Sequence, residues 1–182
     1  MYFTRSFVAV LALSSSVLGA FIERRTAATI LTDIADVQNK TSALDALVVA
    51  YPTSGGTLAG ALAIHTAATT VDTAVKKLTT DTTATPSLTE AEGQSILTAF
   101  QNFDPIIVKT LNDVVAKKAA FAALPIGGIP ALVKSDLNTL NTDTQAAESA
   151  ILAITPADLV AAANVVIAHI NAAFASAIAA YA

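Results

Sequence analysis

The chain reads as an all-α protein, an antiparallel five-helix bundle, and three observations predict it. Apolar residues fill 54% of the 182 positions, and alanine, the strongest helix former, is the commonest of them. Those residues recur at the 3.6-residue spacing in five segments, and stretches rich in proline, glycine and threonine separate the segments. Cysteine is absent, so no disulfide can staple the fold and side-chain packing has to hold it.

The first helix is expected from about Thr26 to Tyr51, with Ile30, Ile34, Val37, Leu44 and Val48 on one stripe. It should stop at Pro52-Thr-Ser-Gly-Gly56, because proline restricts the residue before it and glycines favour a turn. A second helix from about Leu58 to Thr79 aligns Ile64, Ala68, Val71, Val75 and Leu78. The polar run from Thr80 to Ser87 then reads as a linker.

The third segment opens with Thr89 and Glu92, the spacing of a capping box. Its stripe is Ile96, Phe100, Phe103, Ile107, Leu111, Val114 and Phe121. Pro105 removes a backbone donor inside it, so a kink or break is expected near Asp104. After the loop from Leu124 to Pro130, a fourth helix from Ala131 to Ile154 carries Val133, Leu137, Leu140, Ala147 and Ile151. The fifth is expected to start with Thr155 as N-cap and Pro156 at its first position, where the missing donor costs little. Leu159, Ala163, Val166, Ile170, Phe174 and Tyr181 form its stripe.

Residues 1–20 have the form of a secretory signal peptide: Arg5, an apolar run from Phe7 to Leu13, then small residues to Ala20. A short segment, 21–28, would follow it, and the helical domain would occupy 29–182. Losing Arg5 takes the 10 basic residues to 9 against 14 acidic ones, a net charge of −5. With no basic patch beyond pairs such as Lys76-Lys77 and Lys117-Lys118, nucleic acid is not an expected partner. The uncharged stretch from Leu159 to Ala182 is long enough to cross a bilayer, but Asn164, His169, Asn171 and Ser176 interrupt it, so a buried bundle helix is expected rather than a transmembrane span. The C-terminus lacks the polar spacer and apolar tail of a lipid-anchor signal, so none is expected.

Enzymatic chemistry is not expected. There is no thiol, no nucleophile elbow, no phosphate-binding loop and no dinucleotide fingerprint. His65 and His169 stand alone in helices, so neither a metal nor any other cofactor is implied. Two features suit a secreted glycoprotein: the acceptor sequence Asn39-Lys-Thr41, and the threonine-rich run from Thr79 to Thr89. Several inward positions are alanine, which allows helices to pack closely or to leave room for an alkyl guest. Close packing is the default expectation, since an empty apolar cavity is destabilising.

Three stretches carry a resemblance: Thr110-Leu-Asn-Asp-Val-Val-Ala-Lys-Lys118, Lys134-Ser-Asp-Leu137, and Thr155-Pro-Ala-Asp-Leu159 running into Ala172–Tyr181. In this order they resemble the fungal hydrophobic surface-binding protein A family, which includes the antigenic cell-wall galactomannoproteins. The resemblance implies a secreted, non-catalytic protein, extracellular or loosely wall-associated, that binds fatty acids or other lipids in a helical bundle. The alternatives it leaves open are a structural wall mannoprotein and an adhesion factor that binds a hydrophobic solid surface and recruits a secreted hydrolase. If a lipid binds, Ile34, Val37, Leu44, Phe100, Phe103, Leu111, Val166, Ile170 and Phe174 are the expected apolar lining. Thr110, His169 and Asn171 are the candidates for the polar headgroup, since no basic residue falls on the core stripes.

Overall fold

A computed structural model describes residues 25–182, so the expected leader over 1–20 lies outside the described residues. Among the described residues there are six helices and no strand: α1 (Ala27–Ala50), α2 (Leu58–Thr83), α3 (Glu90–Ala116), α4 (Lys118–Ala122), α5 (Ile129–Ile154) and α6 (Val160–Ala180). Four of the five expected helix starts fall within two residues of where the sequence puts them, because the caps are local. Thr26 and Thr57 accept from the amides of Thr29 and Gly60, and Thr89 with Glu92 forms the full capping box.

Three boundaries differ from expectation, each for a physical reason. Only the second half of the run after Thr79 is a linker: α2 continues to Thr83, with Thr79, Thr80 and Thr83 donating their hydroxyls to the carbonyls four residues back and so keeping them bonded within the helix. Asp81 and Thr82 are consequently buried, and Thr85 just beyond the helix is buried too. The third helix does not break near Asp104. It runs on through Pro105, which is exposed, as is Gln101, whose carbonyl loses the proline's donor and can turn to water. The interruption comes at Lys117 instead, which divides the expected segment into α3 and the short α4 and gives six helices rather than five. Finally, Thr155 caps the end of α5, its hydroxyl donating to Ile151 O at 2.7 Å, and α6 starts only at Val160.

The break at Lys117 puts two adjacent ammonium groups to use. Lys117 Nζ donates to Val49 O and Tyr51 O at the end of α1, while Lys118 Nζ donates to Ala180 O at the end of α6. Each meets the carbonyl-rich, negative end of a helix. Tyr181 completes this end of the bundle by donating its hydroxyl to Val114 O at 2.7 Å, and burial pushes its phenol well above the ordinary range.

The five long helices close a ring. Each packs on two others, in the order α1, α2, α5, α6, α3 and back to α1. Successive long helices alternate in direction along the chain, but the antiparallel description holds only in part around the ring. Paired contacts run in the same sense for α1 with α3 (Asp45–Lys109, Tyr51–Lys117), α2 with α5 (His65–Asp136, Lys76–Asp143) and α3 with α6 (Asp104–His169, Val114–Tyr181). Those pairs are parallel, and only α1–α2 and α5–α6 are antiparallel. At the opposite end from Lys117, Gly93 allows the first turn of α3 to touch the α5–α6 connection. A Cβ there would stand 2.8 Å from Pro156 Cδ and 2.9 Å from Leu159 Cδ1.

Candidate functional site

A ring of five helices has an axis, and alanine at inward positions keeps that axis from filling. Ala147 of α5 and Ala163 of α6 face a cavity of about 100 Å³ to which all five long helices contribute. It follows α3 from Ile96 to Leu111, roughly 22 Å at 1.5 Å per residue. Close packing, the default expectation from sequence, is therefore overturned along the axis.

Eight of the nine expected apolar lining residues border this cavity: Val37 and Leu44 of α1, Phe100, Phe103 and Leu111 of α3, and Val166, Ile170 and Phe174 of α6. Ile34 does not. It is almost wholly enclosed in the core between α1 and its neighbours, one turn beyond the cavity wall. The walls from α2 and α5, which the sequence reading did not include, are Val71, Val75, Leu78, Leu140 and Ile151. They sit on the apolar stripes of their helices, so periodicity marked them as core without saying which core residues border a void.

The polar candidates divide. Thr110 lines the cavity and is buried, with its hydroxyl donating to Ile106 O at 2.9 Å. His169 does not reach it. Its side chain lies outside, with Nδ1 donating to Asp104 Oδ2 at 2.7 Å across the α3–α6 contact. Asn171 is not in the wall either, but it stands directly behind it: its Nδ2 donates at 2.9 Å to Glu148 Oε2, and Glu148 is in the wall. Thr41 and Thr144 are the other polar wall residues; Thr41 donates to Val37 O at 2.8 Å.

Glu148 is the residue that sequence reasoning missed. It is 8% exposed, its Oε1 has no hydrogen-bond partner, and it is the one ionisable side chain in the wall. Burial pushes its carboxyl up to about 7, with the Asn171 hydrogen bond pulling the other way. A signal existed: Glu148 falls four residues after Thr144 and three before Ile151, a lone charge on the buried stripe of α5.

Asp33 and Asp81 are buried around Lys77, with Arg25 on Asp81 at 2.9 Å. No group of three or more metal-ligating side chains occurs among the described residues. Asn39 is exposed on α1, while Thr41 of the same acceptor sequence is buried in the cavity wall. Of the threonine-rich run, Thr82 and Thr85 are buried and so are closed to sugar attachment in the folded protein, whereas Thr80, Thr83 and Thr89 are exposed. One helix among the described residues, α6, has the length and apolarity to cross a membrane, yet Ile170, Phe174 and Ala177 bind it into the bundle core.

Comparison with known proteins agrees with this architecture. No curated protein sequence matches the chain. Among solved structures, Afmp4p in complex with palmitic acid is similar at a TM-score of 0.80 and 30% identity, over 86% of this chain and 100% of that one. Ligand binding domain 1 of the Penicillium marneffei MP1 protein, complexed with arachidonic acids, aligns at a TM-score of 0.78 and 16% identity, over 86% and 99% of the two chains. Domain 2 of the same protein, also with arachidonic acids, gives 0.78 and 15%, over 88% and 98%. The last two likenesses show the fold alone. The family model for hydrophobic surface binding protein A matches residues 27–153, most of the bundle, and the chain belongs to that family.

Proposed function

We propose that this protein is a secreted, non-catalytic lipid carrier that holds a long alkyl chain along the axis of its helical ring. One observation carries the reading: an elongated, partly open cavity to which all five long helices contribute, walled by aliphatic and aromatic side chains. Such space is costly to keep empty, and an alkyl guest recovers about 0.8 kcal/mol for each methylene it buries. The palmitic acid complex of Afmp4p, the relative at 30% identity, supports a fatty acid as guest.

The test is direct. Protein purified under native conditions from its own host should carry lipid in non-denaturing mass spectrometry, and delipidated protein should take up palmitic acid at one to a few equivalents. Ligand-free protein that also ignores palmitic acid would end the proposal.

A second reading, adsorption to hydrophobic solids, has its own support. The outer face of α6 is mostly alanine, with Val165 at 70% exposure and Asn164, His169 and Ser176 interrupting it, and Leu47, Val49 and Leu62 are exposed at the α1–α2 end. Depletion of the protein by hydrophobic beads, with helicity followed by circular dichroism, separates adsorption of the closed bundle from opening of its helices. Recruitment of a hydrolase would require that bead-bound protein retain the enzyme.

A further inference from the structure

The cavity wall carries an acid and no base. Among the described residues that border it, the polar groups are Thr41, Thr110, Thr144 and Glu148. The hydroxyl protons of Thr41 and Thr110 are already given to Val37 O and Ile106 O, so those oxygens can only accept. Basic groups of α1, α2, α3 and α6 are engaged elsewhere, and Lys134 of α5 lies about four turns from Glu148. Lys76 of α2 is held by Asp72 and by Asp143 of α5, Lys109 of α3 by Asp45 and Asp113, and His169 of α6 by Asp104 of α3. What remain facing the guest are the Thr144 hydroxyl, one turn before Glu148 on α5, and Glu148 itself, nine-tenths buried, with Oε2 fixed by Asn171 of α6 and Oε1 without a partner; Glu148 is the only one of the two that can carry charge.

We propose that Glu148 is the headgroup contact of the cavity and that it selects an uncharged hydrogen-bonding head, a hydroxyl or a protonated carboxyl, over a carboxylate. The inference rests on the lipid-carrier reading above and narrows it to a headgroup class. A hydroxyl or a carboxylic acid can both donate and accept, so it can satisfy Oε1 whichever way Glu148 is protonated. A fatty carboxylate can only accept, so it binds when a single proton is shared between the two carboxyl groups. Once both have ionised, two like charges lie in an apolar cavity with no cation in its wall, and the ligand leaves. The elevated position of the Glu148 carboxyl is consistent with this and sets the relevant range near neutrality.

The experiment displaces the neutral probe N-phenyl-1-naphthylamine from delipidated protein with 1-dodecanol or with lauric acid, at pH 5.5 and pH 8.5. In the native chain dodecanol affinity should change less than about threefold between the two, while lauric acid affinity should fall at least tenfold. Glu148→Gln removes the repelling charge and offers a donor. It should bind lauric acid at pH 8.5 at least tenfold more tightly than the native chain does, with little change at pH 5.5. The carboxyl carbon shift of bound [1-13C]lauric acid gives a second readout in the native protein, and its titration midpoint should lie above that of the free acid. Equal lauric acid affinity in Glu148→Gln and native protein at pH 8.5, or a bound acid ionised throughout the range, overturns the headgroup assignment while leaving the carrier reading intact. Failure of both ligands to displace the probe at either pH overturns the carrier reading, and the assignment with it.

Discussion

Replacing Ala147 with leucine tests whether the axial cavity is both the weak point of the bundle and its binding site. Ala147 lies in the cavity wall and is buried at 5% exposure, so added atoms have to enter the void. A closed apolar cavity costs about 24 cal/mol per Å³, so the partly open space of about 100 Å³ here represents at most about 2.4 kcal/mol of unrealised packing. Leucine adds three carbons, which at about 0.8 kcal/mol each recover at most about that amount. Fixing the new side chain returns roughly 0.5–1 kcal/mol of it as lost rotamer freedom. Delipidated Ala147→Leu should therefore be more stable in urea denaturation by up to about 1.4–1.9 kcal/mol, with a Tm higher by up to roughly 3–8 °C. The same three carbons exclude about three methylenes of guest, worth roughly 50-fold in affinity for palmitic acid by probe displacement. Ala163→Leu, in α6, should act in the same direction from the other wall. A variant that binds palmitic acid as tightly as the native chain, or that loses several kcal/mol of stability, would refute the reasoning, because the space would then be elsewhere or already filled.

Glu148 should leave a pH signature on stability in the absence of ligand. Its carboxyl lies at about 7 in the folded protein against an ordinary value near 4.5, so its contribution is fully present below about pH 4.5 and is lost as pH rises through about 7. The native chain should lose roughly 3 kcal/mol across that window relative to Glu148→Gln, whose uncharged amide removes this slope; parallel urea midpoints for the two proteins would count against a buried acid. Gly93→Ala sets helix propensity, a gain of up to about 1 kcal/mol, against a collision with Pro156 and Leu159. The collision should prevail and destabilise by about 1 kcal/mol net, since overpacking typically costs about 1–3 kcal/mol; a stabilised variant would show that the α5–α6 connection yields freely. Tyr181→Phe removes the hydrogen bond to Val114 O and should cost about 1–2 kcal/mol in thermal or urea unfolding, whereas an unchanged midpoint would mean that water replaces the phenol.

Local chemistry made much of this protein readable in advance. The caps at Thr26 and at Thr89 with Glu92, and the punctuation at Pro52 and at Gly128, depend on neighbours within four residues, so helix starts could be placed from the sequence. The apolar stripes identified which side of each helix faces inward, and eight of nine expected lining residues border the cavity for that reason. Local rules also account for two of the misplaced boundaries. Threonine hydroxyls can back-bond to a helix as readily as they can leave it, and a proline on an exposed face leaves the freed carbonyl of Gln101 open to water, so the helix can continue past it.

Tertiary structure alone decided the rest. Which helices adjoin, and hence that three pairs run parallel and the ring closes around an axis, depends on contacts between residues more than 60 positions apart, such as Asp45 with Lys109 and His169 with Asp104. Lys117 and Lys118 look like any surface pair until the ends of α1 and α6 arrive beside them. An alanine at an inward position permits either contact or a void, and the choice belongs to the separation of whole helices rather than to that residue. His169 was drawn outward by Asp104, while Glu148, an ordinary surface residue type, was turned inward against Asn171. Periodicity is a property of one helix, whereas a cavity and its single acid belong to five of them together.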